Sequence, residues 1–323
     1  MPQHKFDYQT YLQSLQTQIK EKLEMSEKLY LEVTGNLVDQ RNIQDIIPEF
    51  PVDTYKNTFV PFKYDMDILL CIMAQDVINN PEMGPEGQPF RDYLHLYLKK
   101  VENQFGIKPH IIINAIDIEN MYDIVFNFET HFQKLGYRVW EKYKIRAYAN
   151  DIAKVLSEDG FGNDDHIPTT KKLNLIVGLV PECGKLATAV AQIYLDQEID
   201  IESEYAKLEV LPNYAASKTG PFNLMARAQY LVQARHEDFD STLEEMDLYE
   251  RGVEKHKFIQ KVYKFLKKSV PEFISDYVFG GVDEEQFDES TLQEAAKRYI
   301  EQLMQDPKNS DLSEKLEQIL GEA

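Results

Sequence analysis

The sequence predicts an α/β fold, a doubly wound and mostly parallel sheet with Rossmann-like layers, followed by an all-helical C-terminal region. Apolar runs of strand length alternate with helical patterns along the first two thirds of the chain. These runs are apolar at nearly every position, which is typical of parallel strands that helices cover on both faces. After about Pro221 the strand signals stop, and apolar residues then recur at helical spacing.

The predicted elements follow one another in a regular order. An amphipathic helix comes first, at about residues 6–25, and further helices are predicted at about 120–135 and from Lys185 onward. Ligands of such sheets bind beyond the carboxyl ends of the strands, so we expect a site at that edge. The predicted strands are residues 29–34, 68–74, 110–115, 137–143, 173–180 and 206–211.

The C-terminal part carries two signals for the start of a helix. Ser241 with Glu244, and Ser290 with Gln293, have the spacing of a capping box, in which each side chain satisfies a free backbone amide. No strand is predicted beyond Pro221. The predicted regions are an N-terminal α/β region (1–150), a second α/β region with a phosphate-loop-like turn (151–235) and a helical C-terminal region (236–323).

Composition limits the classes of partner. The 323 residues include 35 Lys and Arg against 55 Asp and Glu, and the formal net charge of −20 opposes binding to a nucleic acid. The sequence shows no apolar leader and no run near the roughly 20 residues that span a membrane, so we expect a cytoplasmic protein without membrane contact. Two cysteines, Cys71 and Cys183, predict no disulfide framework.

Local catalytic signatures are not found in the sequence. It contains no H-E-x-x-H, no C-x-x-C and no G-x-S-x-G pattern, which are the spacings of zinc proteases, thiol-based metal sites and serine hydrolases. The sequence therefore predicts no metal site and identifies no cofactor. Whether the protein is an enzyme stays open.

The most informative segment is LNLIVGLVPECGKLATAV, residues 173–190. It has the pattern of a buried strand, a tight loop with Pro and Gly, and a helix that begins at Lys185. A helix that starts directly after such a loop leaves several backbone amides unpaired, and these amides favour an anion. The segment differs from a Walker A loop in three ways: five residues separate Gly178 from Gly184, Leu186 occupies the position of the Mg²⁺-binding hydroxyl, and Glu182 adds a negative charge.

Two interpretations of this loop stay open. In one, Lys185 and the nearby amides hold a phosphate or carboxylate, with Thr188 as the nearest hydroxyl. In the other, the segment is a plain turn from strand to helix with a solvated Lys185, and Glu182 repels anions unless its side chain turns away. A nucleophilic Cys183 at the helix N-terminus is a third and weaker hypothesis, since no histidine is close to it in sequence.

Three stretches resemble successive blocks of a bacterial family of no established function, the domain-of-unknown-function 1846 family. They are residues 30–39 (YLEVTGNLVD), 158–194 and 205–212 (YAKLEVLP), and the similarity spans roughly residues 6–235. The resemblance implies an α/β fold with a phosphate-loop-like turn before a helix. Its most specific elements map onto Gly184, Lys185, Leu186, Ala187 and Thr188 for G-K-L-A-T, onto Thr169, Thr170 and Lys171 for T-T-K, and onto Lys207 for Y-A-K.

The chain also departs from the pattern of that family. It has L-V-P-E-C-G-K where members resemble P-G-P-G-S-G-K, Thr34 where a glycine precedes Gly35, and Asn42 where a histidine is expected. Family members are also considerably longer. Some carry an ATP-dependent peptidase label, which the residues here do not support because no metal motif is found.

Two functions of different classes follow as hypotheses. In the first, the protein binds a small phosphorylated or nucleotide-like ligand at Gly184 to Ala187, with Thr169, Thr170 and Lys207 completing the pocket. In the second, it is a non-catalytic scaffold whose acidic helical C-terminal region binds a protein partner or another copy of the chain.

Overall fold

The structure, a computed structural model, describes residues 6–44, 47, 50–84, 87–145, 151–211, 220–233, 248–282 and 289–322. Its strands are β1 (Lys28–Val33), β2 (Met66–Met73), β3 (Glu82–Met83), β4 (Gln88–Pro89), β5 (His110–Ile116), β6 (Arg138–Tyr143), β7 (Leu173–Gly178), β8 (Ser203–Leu208) and β9 (Val278–Phe279). Its helices are α1 (Tyr8–Glu24), α2 (Arg41–Gln44), α3 (Thr54–Phe59), α4 (Ala74–Asn79), α5 (Phe90–Phe105), α6 (Ile118–Lys134), α7 (Ile152–Val155), α8 (Lys185–Gln197), α9 (Pro221–Gln233), α10 (Leu248–Phe265), α11 (Glu289–Gln305) and α12 (Ser313–Gly321).

Seven of the strands form one parallel sheet, which confirms the predicted fold class. The strand order is β6-β5-β2-β7-β1-β8-β9, and every neighbouring pair in it runs parallel. Strand β7 lies in the centre, hydrogen-bonded to β2 on one side and to β1 on the other. The predicted regions 1–150 and 151–235 therefore both contribute strands to a single sheet.

The sheet is covered on both faces, which explains why the strand sequences are apolar throughout. In β7, Leu173, Leu175 and Val177 belong to one hydrophobic cluster, and Ile176 belongs to the other. The first cluster includes residues of α1, α5 and α6, and the second includes residues of α8 and α10. Successive side chains of a strand point to opposite faces, so both sets must be apolar when helices lie on either side.

Two helix boundaries follow directly from the sequence. Helix α1 begins after Asp7, whose carboxylate accepts hydrogen bonds from the backbone amides of Gln9 and Thr10. Helix α5 ends at Gly106, which has the left-handed φ of +71° that closes many helices. These signals fix where α1 begins and where α5 ends.

The prediction that no strand follows Pro221 is corrected by β9. Its two residues pair with Lys207 and Leu208 of β8 and extend the sheet at one edge. A two-residue strand carries no periodicity of its own, so only its place beside β8 defines it. Strands β3 and β4 pair with each other in a separate short antiparallel hairpin.

The remaining C-terminal elements are helical. Helices α9, α11 and α12 share a small hydrophobic cluster that includes Leu224, Ile300 and Leu316. Helix α11 begins one residue before Ser290, and the predicted start at Ser241 lies outside the described residues. Within the described part of the chain, no helix combines the length and the apolar character needed to cross a membrane.

Candidate functional site

The candidate site lies where the central strand β7 ends. Residues 179–184 form the turn that follows Gly178, and helix α8 begins at Lys185. Gly184 precedes the helix with φ of +86°, a left-handed conformation that disfavours any side chain, and no side chain in the described part of the protein caps the helix start. The first amides of α8 are thus left without a side-chain acceptor, as an anion site at a helix N-terminus requires.

Asn114 fixes this turn from behind. Its Nδ2 donates a hydrogen bond of 2.9 Å to the carbonyl oxygen of Cys183, and its Oδ1 accepts one of 3.1 Å from Thr188 Oγ1. Strand β5 is irregular at this point, because its register with β6 shifts between Ile113 and Ile116 and Ala115 has φ of +60°. Such a bulge re-aims a side chain, and here it accompanies the contact between Asn114 and the loop.

Thr188 faces the core and not the mouth of the loop. Its side chain is fully buried, donates to Asn114 and accepts a hydrogen bond of 3.3 Å from the thiol of Cys71. Leu186 and Ala187 are partly buried on the same turn of α8. Of the predicted G-K-L-A-T residues, the structure therefore leaves the Lys185 side chain and the backbone amides to meet a ligand, and it commits the Thr188 hydroxyl to the interior.

Lys185 is half-buried at the start of α8. Among the described residues its ammonium group makes no hydrogen bond or ion pair. Burial acts to lower the pKa of Lys185, but Cys183, Glu32 and Glu182 act in the opposite direction and raise it above its usual value. Lys185 is consequently a cation at neutral pH, with hydrogen-bonding capacity to spare.

The Glu182 carboxylate is held from outside the loop. Its Oε1 accepts a hydrogen bond of 2.9 Å from Lys255 Nζ, a residue of α10. The charge of Lys255 outweighs burial and, with help from Lys185 and Arg251, lowers the pKa of Glu182 to about 2. The negative charge that the sequence places in the loop is therefore paired with a C-terminal helix.

Lys207 lies at the same edge of the sheet but is already paired. It stands beside Glu32 in the parallel register of β8 with β1, and its ammonium forms an ion pair with the buried Glu209. Burial would lower the pKa of Lys207, yet Glu209 and Glu32 raise it. Glu32 also accepts a hydrogen bond of 2.8 Å from Tyr205 Oη. Lys207 and Glu32, at the carboxyl ends of β8 and β1, therefore already have partners within the protein.

Thr169, Thr170 and Lys171 do not lie near Lys185. They precede β7, and a six-residue strand separates its two ends by roughly 17 Å. At that opposite end the Lys171 ammonium donates to the carbonyl of Tyr64 at 2.7 Å, and the backbone amide of Thr170 donates to Asp67 at 3.3 Å. The expectation that these residues complete one pocket with Lys185 is corrected, because a small ligand cannot reach both ends of the strand.

Neither cysteine has the environment of a nucleophile. Both thiols are fully buried, and burial raises the pKa of Cys183 and raises that of Cys71 to about 12. The Sγ atom of Cys183 lies 2.1 Å from the position that a Cβ on Gly178 would take. Cys183 thus fills the space that Gly178 leaves, and its thiol acts as a packing group.

Two residues of this site have no signal in the local sequence. Asn114 follows an apolar run within β5 and could be placed near the carboxyl end of that strand, but its hydrogen bond to the loop depends on the strand order, in which only β2 separates β5 from β7. Lys255 belongs to an ordinary amphipathic helix, 73 positions from Glu182. Among the described residues no three His, Cys, Asp or Glu side chains are grouped so that they could hold a metal ion.

Comparison with known sequences identifies the family. Residues 4–321 match the family described as "Domain of unknown function DUF1846, N-terminal". The chain belongs to this family. The resemblance seen in residues 30–39, 158–194 and 205–212 is therefore confirmed, and the match extends through the helical C-terminal region.

Two related bacterial proteins show how much of its relatives this chain covers. A UPF0371 protein of Corynebacterium efficiens is 30% identical over 225 residues, which cover 69% of this chain and 45% of that protein. A UPF0371 protein of Clostridium botulinum strain Eklund 17B is 24% identical over 313 residues, covering 91% of this chain and 61% of its own length. The chain spans about half the length of the UPF0371 proteins it matches, and their names state no activity.

Proposed function

We propose that the turn before α8 binds a small phosphorylated or nucleotide-like ligand, with the phosphate held by the Lys185 ammonium and the backbone amides of Gly184 to Ala187. The observation that supports this most is the half-buried ammonium of Lys185, which has no partner among the described residues and lies beside a helix start that none of their side chains caps. Both groups favour an anion, because each supplies positive charge and a free donor at the same place.

The position of the turn in the fold supports the same proposal. In open parallel sheets, ligands bind outside the carboxyl ends of the strands, and β7 is the central strand of this sheet. Asn114 holds the turn rigidly through the carbonyl of Cys183, so its amides are oriented before any ligand arrives. Such preorganisation lowers the entropic cost of binding.

The mode of binding differs from that of a Walker A loop. At position 186 the chain has a leucine, and the next hydroxyl, that of Thr188, is bonded to Asn114 in the core. The ligand is therefore held by main-chain donors and one ammonium. Lys207 lies at the same edge of the sheet, but its ammonium must leave Glu209 before it can bind the phosphate. Thr169, Thr170 and Lys171 do not take part in binding.

A thermal-shift measurement against inorganic phosphate, pyrophosphate, nucleotides and sugar phosphates tests the proposal. A ligand present at a hundredfold excess over its Kd stabilises the native state by about 2.7 kcal/mol, and this stabilisation raises the melting temperature. We expect this rise with at least one phosphorylated compound, its loss in Lys185→Met and its retention in Lys171→Met. The second variant is a matched control, because Lys171 lies at the other end of β7.

The opposite outcome favours the alternative function. If no phosphorylated compound stabilises the protein, or if Lys185→Met responds as the wild type does, the turn is a structural connection. The scaffold hypothesis, in which the helical C-terminal region binds a protein partner or a second copy, then becomes the better one.

A further inference from the structure

Three basic side chains act on the Glu182 carboxylate, namely Lys255, Lys185 and Arg251. This carboxylate bonds Lys255 at 2.9 Å, whereas Lys185, three residues further along the chain, has no such partner among the described residues. We propose that Lys255 of α10 is a positioning residue for the anion site, which holds Glu182 away and so keeps the Lys185 ammonium available to an external anion. This inference rests on the proposed function and deepens it.

The charges around Glu182 explain why Lys255 has this effect. Lys255 and Lys185 both lower the pKa of Glu182, and the contribution of Lys255 is the larger. Without Lys255, Lys185 and Arg251 remain as cations acting on the carboxylate, and Lys185 belongs to the same loop, only three positions away. An internal carboxylate bound to Lys185 competes with any external anion for the same donors, because it is tethered and therefore present at high effective concentration.

The geometry of the loop makes this exchange possible. Glu182 has a left-handed backbone with φ of +55°, and its side chain is 29% exposed, so the carboxylate is not locked into the core. On α10, Arg251 and Lys255 are four residues apart and share one face of the helix. The hydrogen bond from Lys255 to Glu182 directs this basic face toward the loop, and both residues lower the pKa of Glu182.

It follows that the helical C-terminal region takes part in the ligand site without touching the ligand. The contact between Glu182 and Lys255 joins the loop of the central strand to a helix that begins 63 residues after the start of α8. Any event that moves α10 away from the sheet releases Glu182 toward Lys185. Affinity for the anion thereby depends on whether α10 is docked, a form of coupling between two parts of one fold.

The test is a double-mutant cycle with inorganic phosphate as the probe, measured by isothermal titration of the full chain. The four proteins are the wild type, Lys255→Met, Glu182→Gln and the double variant. We expect Lys255→Met to weaken phosphate binding by at least about tenfold, and the double variant to bind within about twofold of Glu182→Gln alone. Lys255→Arg, which keeps the ion pair, should restore wild-type affinity.

Two further measurements make the outcomes separable. Lys257→Met is the matched control, because Lys257 lies on the same helix in a more exposed pair with Glu254, and it should bind phosphate as the wild type does. Unfolding midpoints without phosphate show whether each variant folds. The inference is overturned if Lys255→Met binds like the wild type, or if it weakens binding equally in the Glu182→Gln background. If the wild type itself does not bind phosphate, this inference is overturned, whereas the proposed function fails only when no compound of the thermal-shift panel stabilises the protein.

Discussion

Asn114 occupies the space that a side chain on Gly184 would need. A Cβ on Gly184 would lie 2.7 Å from the Asn114 Cγ and 2.9 Å from its Cβ, closer than real Cβ atoms approach other groups. The contact joins the end of β5 to the start of α8. It holds in place the turn that leads into the first helical turn of α8.

Gly184→Ala is therefore expected to destabilise the protein by about 3 kcal/mol. Left-handed backbone alone costs a side chain about 1–2 kcal/mol, and the collision with Asn114 adds to it. Gly35→Ala is the matched control, since Gly35 has φ of +73° but nothing within 4 Å of the added Cβ. Urea unfolding should show a loss of only about 1 kcal/mol for the control. Equal losses in both variants would mean that Asn114 does not restrict the turn.

Thr188→Val should lower the free energy of unfolding by about 2 kcal/mol, because it leaves the Oδ1 of buried Asn114 and the thiol of Cys71 without their partner. The side chain keeps its volume, so the loss reports the hydrogen bonds. Thr17→Val is the control, since the Thr17 hydroxyl bonds the carbonyl of Gln13 on the exposed face of α1. Chemical denaturation of both variants decides the matter, and a Thr188→Val loss no larger than that of the control would contradict the network.

The ion pair of Glu182 with Lys255 predicts a specific dependence of stability on pH. The folded pKa of Glu182, about 2, is below its ordinary value of 4.5, so the carboxylate form stabilises the fold. This contribution, about 1 kcal/mol after allowance for solvent screening, is fully present above pH 5 and disappears as the pH falls from about 5 toward 2. The difference in unfolding free energy between the wild type and Glu182→Gln should follow that course. The more exposed Glu254→Gln serves as control, and a difference that does not change with pH would refute the assigned pKa.

The two buried thiols predict slow chemistry with external reagents. Burial raises the pKa of both, so the reactive thiolate is scarce at neutral pH and no reagent reaches it without local opening. We expect iodoacetamide to label native Cys71 and Cys183 much more slowly than a free cysteine, and both to label at the ordinary rate in denaturant. Peptide mass spectrometry identifies the residue modified. Rapid labelling of native Cys183 would restore it as a candidate nucleophile.

Much of the fold could be predicted because the strands are covered on both sides. The predicted strand at 110–115 is observed as His110–Ile116, and that at 29–34 as Lys28–Val33, since an unbroken apolar run is a strong local signal. The strand predicted at 206–211 begins three residues earlier, at Ser203, where Ser and Glu conceal the start. Strand β9 could not be predicted, because its two residues are defined by the edge of β8.

Less of the candidate site than of the fold could be predicted from the sequence. Lys185 and Gly184 could be placed, because a glycine and a helix start after a buried strand are local features. The separation of Thr169 to Lys171 from Lys185 follows from the direction of β7, and a sequence motif does not convey that two of its parts lie at opposite ends of a strand. The pairing of Glu182 with Lys255 depends on how α10 docks, which is a tertiary property.

The most direct measurement is a titration of the ¹⁵N-labelled protein with inorganic phosphate, followed through the amide resonances of Gly184, Lys185, Leu186 and Ala187. We expect these four amides to shift together and to saturate with one dissociation constant, while the amides of Thr170 and Lys171 stay unchanged. If the four amides do not move, or if shifts are scattered over exposed lysines without saturation, the turn before α8 does not bind an anion.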